Sequence, residues 1–172
     1  MNDRDEDARL AELRSFNILD TSAEAEFDRI VQQAARTLNT PIALLSLIDD
    51  DRQWFKAKVG LDVAETPRSM SFCTHAIQSD EVFVVENAKD DARFADNSLV
   101  TGDPHIRFYA GAPLKTSAGR RIGTICVIDN KPRTMLSDVE KRQLEALADL
   151  VMKALERRQQ RKSARQLRSM AL

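Results

Sequence analysis

The segment Ile42–Ile48, IALLSLI, places the strongest constraint on how this chain folds. It is a near-continuous apolar run of strand length, rich in β-formers. Such a run suits a central strand with both faces covered, because a strand open to water on one side alternates apolar with polar residues. The rest of the chain has to supply a cover for each face. Its 172 residues suffice, since a domain of this size buries roughly 70% of its unfolded surface without a metal or disulfide staple.

Helical covers are legible at both ends. Residues 8–16 space Leu10, Leu13 and Phe16 along one side of a short helix. Thr21 with Glu24 fits a capping box, which starts a second helix near Ser22. Phe27, Ile30, Val31, Ala34, Ala35 and Leu38 give that helix an apolar stripe, and Asn39-Thr40-Pro41 ends it. Ser137 with Glu140 forms another capping box. It opens a last helix over residues 138 to about 168, with Val139, Leu144, Leu147, Val151, Ala154 and Leu155 as its buried seam. Beyond Leu155 the seam thins to Leu167 alone, so this half is expected to project as a lone helix or to pair with a partner.

Between the helices the pattern is one of strands. The polar turn at 49–52 lets residues 53–59, with Trp54, Phe55 and Val59, pair back on the first strand. Residues 60–71, which include Pro67, read as a loop, 72–78 as one or two helical turns, and 82–85 as a short strand. Residues 107–114 and Arg121–Asp129 form a hairpin through 116–120, with Gly119 supplying a positive φ. The stretch 86–106 is long and polar, holding Asp90, Asp91, Arg93, Asp96, Asn97, Asp103 and Pro104. A segment of this length in a compact domain is functional or contains a short helix. Hairpin-joined strands with helices at the chain ends imply an α+β fold, an antiparallel sheet with helices on one face. The long loop and short helix then cover the other face and enclose a pocket.

Composition removes several classes of function. Lys plus Arg is 26 and Asp plus Glu is 27, a net charge of −1, which argues against general nucleic-acid binding. Two cysteines exclude a disulfide scaffold and suit a reducing compartment. No apolar run approaches about 18 residues, and the acidic start lacks the apolar core of a signal peptide, so a cytoplasmic protein without a membrane span is expected. Residues 3–12 carry a net −3 and residues 156–172 a net +5. Opposite charge at the two ends suits pairing of the terminal helices, within one chain or across a homodimer; a solvated helix end is the plain alternative. No aromatic residue interleaves the basic tail, which speaks against nucleic acid there.

Eight ordered segments resemble the GAF domain: ILDT at 18–21, FDRI at 27–30, PIALLSLID at 41–49, RQWFK at 52–56, SFCTHAI at 71–77, DARFADN at 91–97, RFYAGAPL at 107–114 and GTICVID at 123–129. They are similar to the GAF modules found ahead of bacterial histidine kinases and diguanylate cyclases, and sometimes standing alone. The resemblance covers about residues 8–155. It implies a six-stranded antiparallel sheet, a small-molecule pocket on one face, and parallel dimers through terminal helices. The expected divisions are an N-terminal helical segment at 1–20, the GAF domain at 21–155 and a basic helical extension at 156–172.

The chemistry-bearing residues follow from spacing. Cys73 and His75 lie two apart in one short turn, where a thiol beside an imidazole is either a lowered-pKa nucleophile or a buried Cys next to a satisfied His. Cys126 lies mid-strand and shares a face with Thr124 and Ile128. If the short helix covers the sheet, Cys126 approaches Cys73. Two free thiols are expected, a reversible disulfide being the alternative. Cys73, His75, His105 and Cys126 lack the paired spacing of a structural zinc site, so no metal or other cofactor is expected. Arg107 and Tyr109 share a strand face and either hold a polar or anionic ligand, or Arg107 pairs with Asp91 or Asp103 to pin the loop. Trp54 and Phe55 read first as core packing, with Phe55 able to reach a pocket. The expected pocket set is thus Phe55, Cys73 and His75, then Asp91, Arg93 and Phe94 from the loop, and Arg107, Tyr109 and Cys126 from the strands.

Several activities of the family can be weighed on these residues. The bilin-attaching Cys-His motif is not matched by Cys73-Thr74-His75, and the cyclic-nucleotide motif is matched only at Asn130-Lys131. A free methionine-(R)-sulfoxide reductase is the enzymatic alternative. It needs an attacking thiolate, for which Cys73 is the candidate, and a resolving thiol, for which only Cys126 is available. The expected function is a dimerising sensory module for an unidentified small molecule that signals through its C-terminal helix to a kinase or diguanylate cyclase output partner. A ligand-free structural domain is a further alternative.

Overall fold

A computed structural model describes residues 1–171; Leu172, the last residue of the expected basic extension, lies outside them. The apolar run forms β1 (Ile42–Ile48), which is buried along its whole length. It pairs with β2 (Arg52–Val59) on one side and β6 (Arg121–Asp129) on the other. With β3 (Glu65–Pro67), β4 (Phe83–Val85) and β5 (Phe108–Lys115), these strands make one six-stranded antiparallel sheet in the order β3-β2-β1-β6-β5-β4. β3 falls in the stretch expected to be a loop. It is three residues long and sits at the sheet edge, where Pro67 costs no central ladder bond, so it leaves no alternating pattern to read.

Alternation divides β1 between two cores. Ala43, Leu45 and Leu47 pack with the helices, and Ile42, Leu44 and Ile48 with the loops and the short helix opposite. The helical layer holds α1 (Asp3–Ser15), α2 (Ala25–Leu38) and α5 (Asp138–Met170). The opposite layer holds α3 (Cys73–Ala76) and α4 (Ser98–Thr101). The stretch 86–106 therefore contains α4 and a 3-10 turn at Ala88–Asp90.

Three local expectations are corrected. First, α1 starts at Asp3, earlier than the apolar spacing implied, because Asn2 caps it and Asp3, Asp5 and Glu6 complement its dipole. Second, Thr21 and Glu24 form no capping box. Glu24 is itself the N-cap, its carboxylate is taken by Lys56 (2.5 Å) and Arg158 (2.9 Å), and the Thr21 hydroxyl donates to the Ile18 carbonyl. Third, Val139 stands exposed on α5, outside the seam that Leu144, Leu147, Val151, Ala154 and Leu155 make. The capping box at Ser137 and Glu140 is formed.

The half of α5 beyond Leu155 is also held further than its apolar residues alone would allow. Arg158 is buried and donates to the carbonyls of Phe16 and Asn17 as well as to Glu24. Gln159 and Lys162 donate to the carbonyls of Ser15 and Asn17, and Arg157 pairs with Glu26. The helix leaves the domain after Lys162, about two turns past Leu155. Among the described residues no helix is long and apolar enough to cross a membrane.

Candidate functional site

The face of the sheet away from the long helices carries a cavity of about 240 Å³. Ile42 and Leu44 of β1, Phe55 of β2, Tyr109 of β5 and Ile128 of β6 form its floor. Phe72 and Cys73, Leu61 and Val63, and Leu99, Pro104 and Ile106 close it from above. Its polar wall residues are mostly spoken for. Gln53 donates to Thr66 and accepts from Ser71, which leaves neither Gln53 nor Thr66 in search of a partner. Asp103 is the one formally charged residue of the wall, and its side chain is fully exposed to solvent. Apolar cavities of about 150 Å³ stay dry and admit a guest the size of benzene, so this one has room for a somewhat larger molecule.

Cys73 marks the inner end of the cavity. It opens α3, and its Sγ is turned toward the sheet, where the hydroxyls of Tyr109 and Thr124 each donate to it at 3.1 Å. Cys126 Sγ lies 3.9 Å away, the separation of a shared S–H···S bond, and both cysteines are free and buried. Burial pushes the Cys73 thiol up, but the hydrogen bonds of Cys126, Thr124 and Tyr109, with Ser46 beside them, outweigh it and hold the group down to about 7. Cys126 is driven the other way, first by its bond to Cys73 and then by burial. Burial and the neighbouring sulfur charge keep the Tyr109 phenol protonated well above its ordinary range. Of the two thiols, Cys73 is therefore the one that gives up its proton first, and Cys126 keeps its own.

Two features of the strands build this arrangement. Tyr109 and Gly111 lie two apart on the same face of β5, and a Cβ at Gly111 would stand 2.3 Å from the Tyr109 hydroxyl. The absent side chain is what lets the phenol lie over its own strand and reach Cys73. Ser46 and Thr124 face each other across the β1–β6 ladder on the cavity side. The Ser46 hydroxyl is buried with no partner at hydrogen-bonding distance, the one such side-chain atom among the described residues.

The residues expected to form a pocket separate into two groups. Phe55, Cys73 and Tyr109 line the cavity, and Cys126 lies directly behind Cys73. His75 does not pair with Cys73. Two helical positions differ by about 200°, so His75 points outward and packs edge-on against Phe94 at 4.9 Å. Phe94 lies one layer outside the cavity, stacked on Phe72 at 4.0 Å. Asp91 and Arg93 bind each other at 2.6 Å on the surface, with the Arg93 guanidinium over the Phe83 and Phe94 rings. Arg107 reaches neither the cavity nor an acid. It donates to the carbonyls of Val100 and Ile106 at 2.8 and 3.0 Å, so the loop is pinned through its backbone instead of through Asp91 or Asp103. Among the described residues no group of three or more His, Cys, Asp or Glu stands together as a cation site. Spacing missed Thr124 as a donor to Cys73 and Ser46 as its buried neighbour, although polar residues inside two apolar strands were a usable signal. The upper wall could not be read, because it comes from loops.

Sheet order, the two layers and the cavity between sheet and loops together define a GAF-type sensory fold. The GAF domain model matches residues 22–155, and the chain belongs to that family. A cyclic di-GMP phosphodiesterase of Pseudomonas aeruginosa is 47% identical over 148 residues, covering 86% of this chain and 25% of that protein. The chain therefore spans about a quarter of the length of this curated relative. Among solved structures, the GAF domain of an Acinetobacter phosphoenolpyruvate-protein phosphotransferase superposes with a TM-score of 0.63 at 19% identity, covering 91% of this chain and 95% of the other. A type II free methionine-R-sulfoxide reductase from Thermoplasma acidophilum also gives a TM-score of 0.63, at 15% identity over 77% of this chain and 92% of the other. At these identities the likeness is one of fold.

Proposed function

We propose that this chain is a sensory module that takes up a neutral, mainly apolar small molecule in the cavity and passes its occupancy to an output domain through α5. The observation that carries this reading is the cavity itself: about 240 Å³, apolar-walled, with no cation facing inward among the described residues. A nucleotide or other anion would find no counter-charge there. The alternative reductase has the same difficulty, because the carboxylate of a free amino acid would be buried without a partner. The phosphodiesterase relative is matched over only a quarter of its length, which fits a sensing segment that serves a separate output.

Two contacts support the route from sheet to helix. Lys56 of β2 has a fully buried side chain and meets Glu24, which also binds Arg158 of α5. A shift in β2, whose Phe55 lines the cavity on the opposite face, would reach α5 through these three charges. We further propose that α5 pairs with a second copy. Val139, Ala146 and Leu150 are exposed along its solvent side at spacings of seven and four residues, the repeat of a helix–helix seam.

The test uses a matched pair of probes, 1-naphthol and the anionic 1-naphthoate, with native mass spectrometry to report bound mass and subunit count together. Naphthol is expected to bind a dimer and raise Tm by about 3–6 °C at ten times its Kd. Naphthoate is expected to bind at least about tenfold more weakly, and Leu99→Trp at the cavity wall to abolish both effects. Equal binding of the anion, or no binding of either, rejects the reading. A monomer at micromolar concentration rejects the pairing alone.

A further inference from the structure

We propose that Cys73 and Cys126 form a two-electron reaction centre for a neutral organic hydroperoxide admitted by the apolar cavity, Cys73 being oxidised and Cys126 resolving it as a disulfide. The inference deepens the reading of the cavity as the ligand site and rests on it.

Three observations converge. Cys73 is one of the residues that line an apolar cavity, so a guest held there lies against the residue that carries this sulfur. Two hydroxyl donors are aimed at that sulfur at 3.1 Å from different strands, which is the arrangement that stabilises a thiolate. Cys126 waits 3.9 Å behind it, sealed from the cavity by Cys73. An ordinary pair of core cysteines needs neither the donors nor the unpartnered Ser46 hydroxyl beside them. A soft electrophile that simply alkylated Cys73 would leave the second sulfur without a role. An oxidant uses both.

The chemistry balances. The Cys73 thiolate attacks the terminal oxygen of the hydroperoxide; the S–O bond forms, the O–O bond breaks, and the alkoxide leaves as the alcohol after taking up one proton from solvent. Cys73 is now a sulfenic acid. The Cys126 sulfur attacks it, the S–S bond forms, and the departing hydroxide takes the Cys126 proton and leaves as water. The two thiols lose two electrons and the hydroperoxide gains them. The sulfurs close from 3.9 Å to the roughly 2.05 Å of a disulfide, which draws α3, a wall of the cavity, toward the central strand β6. Oxidation and cavity shape are thereby linked.

The experiment treats the reduced full chain with cumene hydroperoxide or with hydrogen peroxide, following intact mass and thiol-specific peptide mapping. The expected product has lost two hydrogens and carries a Cys73–Cys126 bridge. It forms at least about tenfold faster with cumene hydroperoxide, and 1-naphthol slows it. Cys126→Ser stops at a sulfenic acid on Cys73 that dimedone traps, and Cys73→Ser leaves Cys126 reduced. If 1-naphthol binds but cumene hydroperoxide leaves Cys73 reduced, the reaction centre is overturned while the cavity reading stands. If both peroxides react at the same rate and naphthol gives no protection, the substrate class is overturned along with the cavity reading. First oxidation at Cys126 overturns the assignment of roles.

Discussion

Tyr109→Phe removes one oxygen and little volume from the centre of the thiol site, and its effect can be worked from the geometry. The lost donor lies 3.1 Å from a sulfur that is fully buried. A hydrogen bond to a charged group contributes about 1.5–3 kcal/mol, and one pKa unit corresponds to about 1.36 kcal/mol. The Cys73 thiol should therefore rise by about 1–2 units, from about 7 into the ordinary thiol range. At neutral pH the thiolate fraction then falls from roughly half to between a tenth and a hundredth. Each more basic thiolate is about 2.5–3 times more nucleophilic per unit, so the rate of Cys73 alkylation by iodoacetamide drops only about 2- to 8-fold. The pH midpoint of that rate is the sharper readout, mapped by mass spectrometry on Cys73. Stability should follow. A depressed thiol pKa stabilises the fold fully above the unfolded-chain value near 9 and ceases to do so as pH falls through about 7. The variant's loss of stability should thus grow between those limits. Thr124→Val, which removes the other hydroxyl donor, should move the midpoint the same way. A midpoint that stays within about 0.3 units in both variants refutes the view that hydroxyl donors hold Cys73 ionised.

Gly111→Ala should do by steric means what Tyr109→Phe does by chemistry. A Cβ there overlaps the phenol, so Tyr109 must move off Cys73; a crystal structure showing the Tyr109–Cys73 contact intact contradicts this. Glu24→Gln leaves Lys56 and Arg158 without their shared carboxylate, and urea unfolding should register a loss of roughly 2–4 kcal/mol; a loss under about 0.5 kcal/mol would show the pair is screened. Glu6 is held at about 2 by its bonds to Arg9, against burial, with Arg68 adding to the effect. The stability it adds is complete above the usual carboxylate value and disappears as pH falls toward about 2. Wild type should therefore lose about 1–2 kcal/mol more than Glu6→Gln between those limits, after allowing for its partial exposure. Parallel urea midpoints for the two proteins over that window would rule it out.

The long elements were legible because they are written in local periodicity, whereas the three-residue β3 was not. β1 announces a doubly covered strand, α2 and α5 space their apolar stripes at helical intervals, and Ser137 with Glu140 marks where the last helix starts. Alternation even placed Cys126 and Thr124 on one strand face. The same local logic failed where a side chain had a distant claim on it. Glu24 looked like a capping-box partner but is drawn to Lys56 and Arg158, which lie 32 and 134 residues away. Arg107 looked like a partner for an acid but satisfies the carbonyls of Val100 and Ile106.

By itself, then, the amino-acid order determined the long strands and helices, the face most of their residues occupy and the family to which the chain belongs. The tertiary structure alone decided that Cys73, from a four-residue helix, comes to rest against Tyr109, Thr124 and Cys126, and that it borders a largely apolar cavity with no cation in its wall. Periodicity states which way a side chain points from its own backbone. What it meets depends on how loops of irregular conformation close over the sheet, and that is settled by packing among residues far apart in sequence.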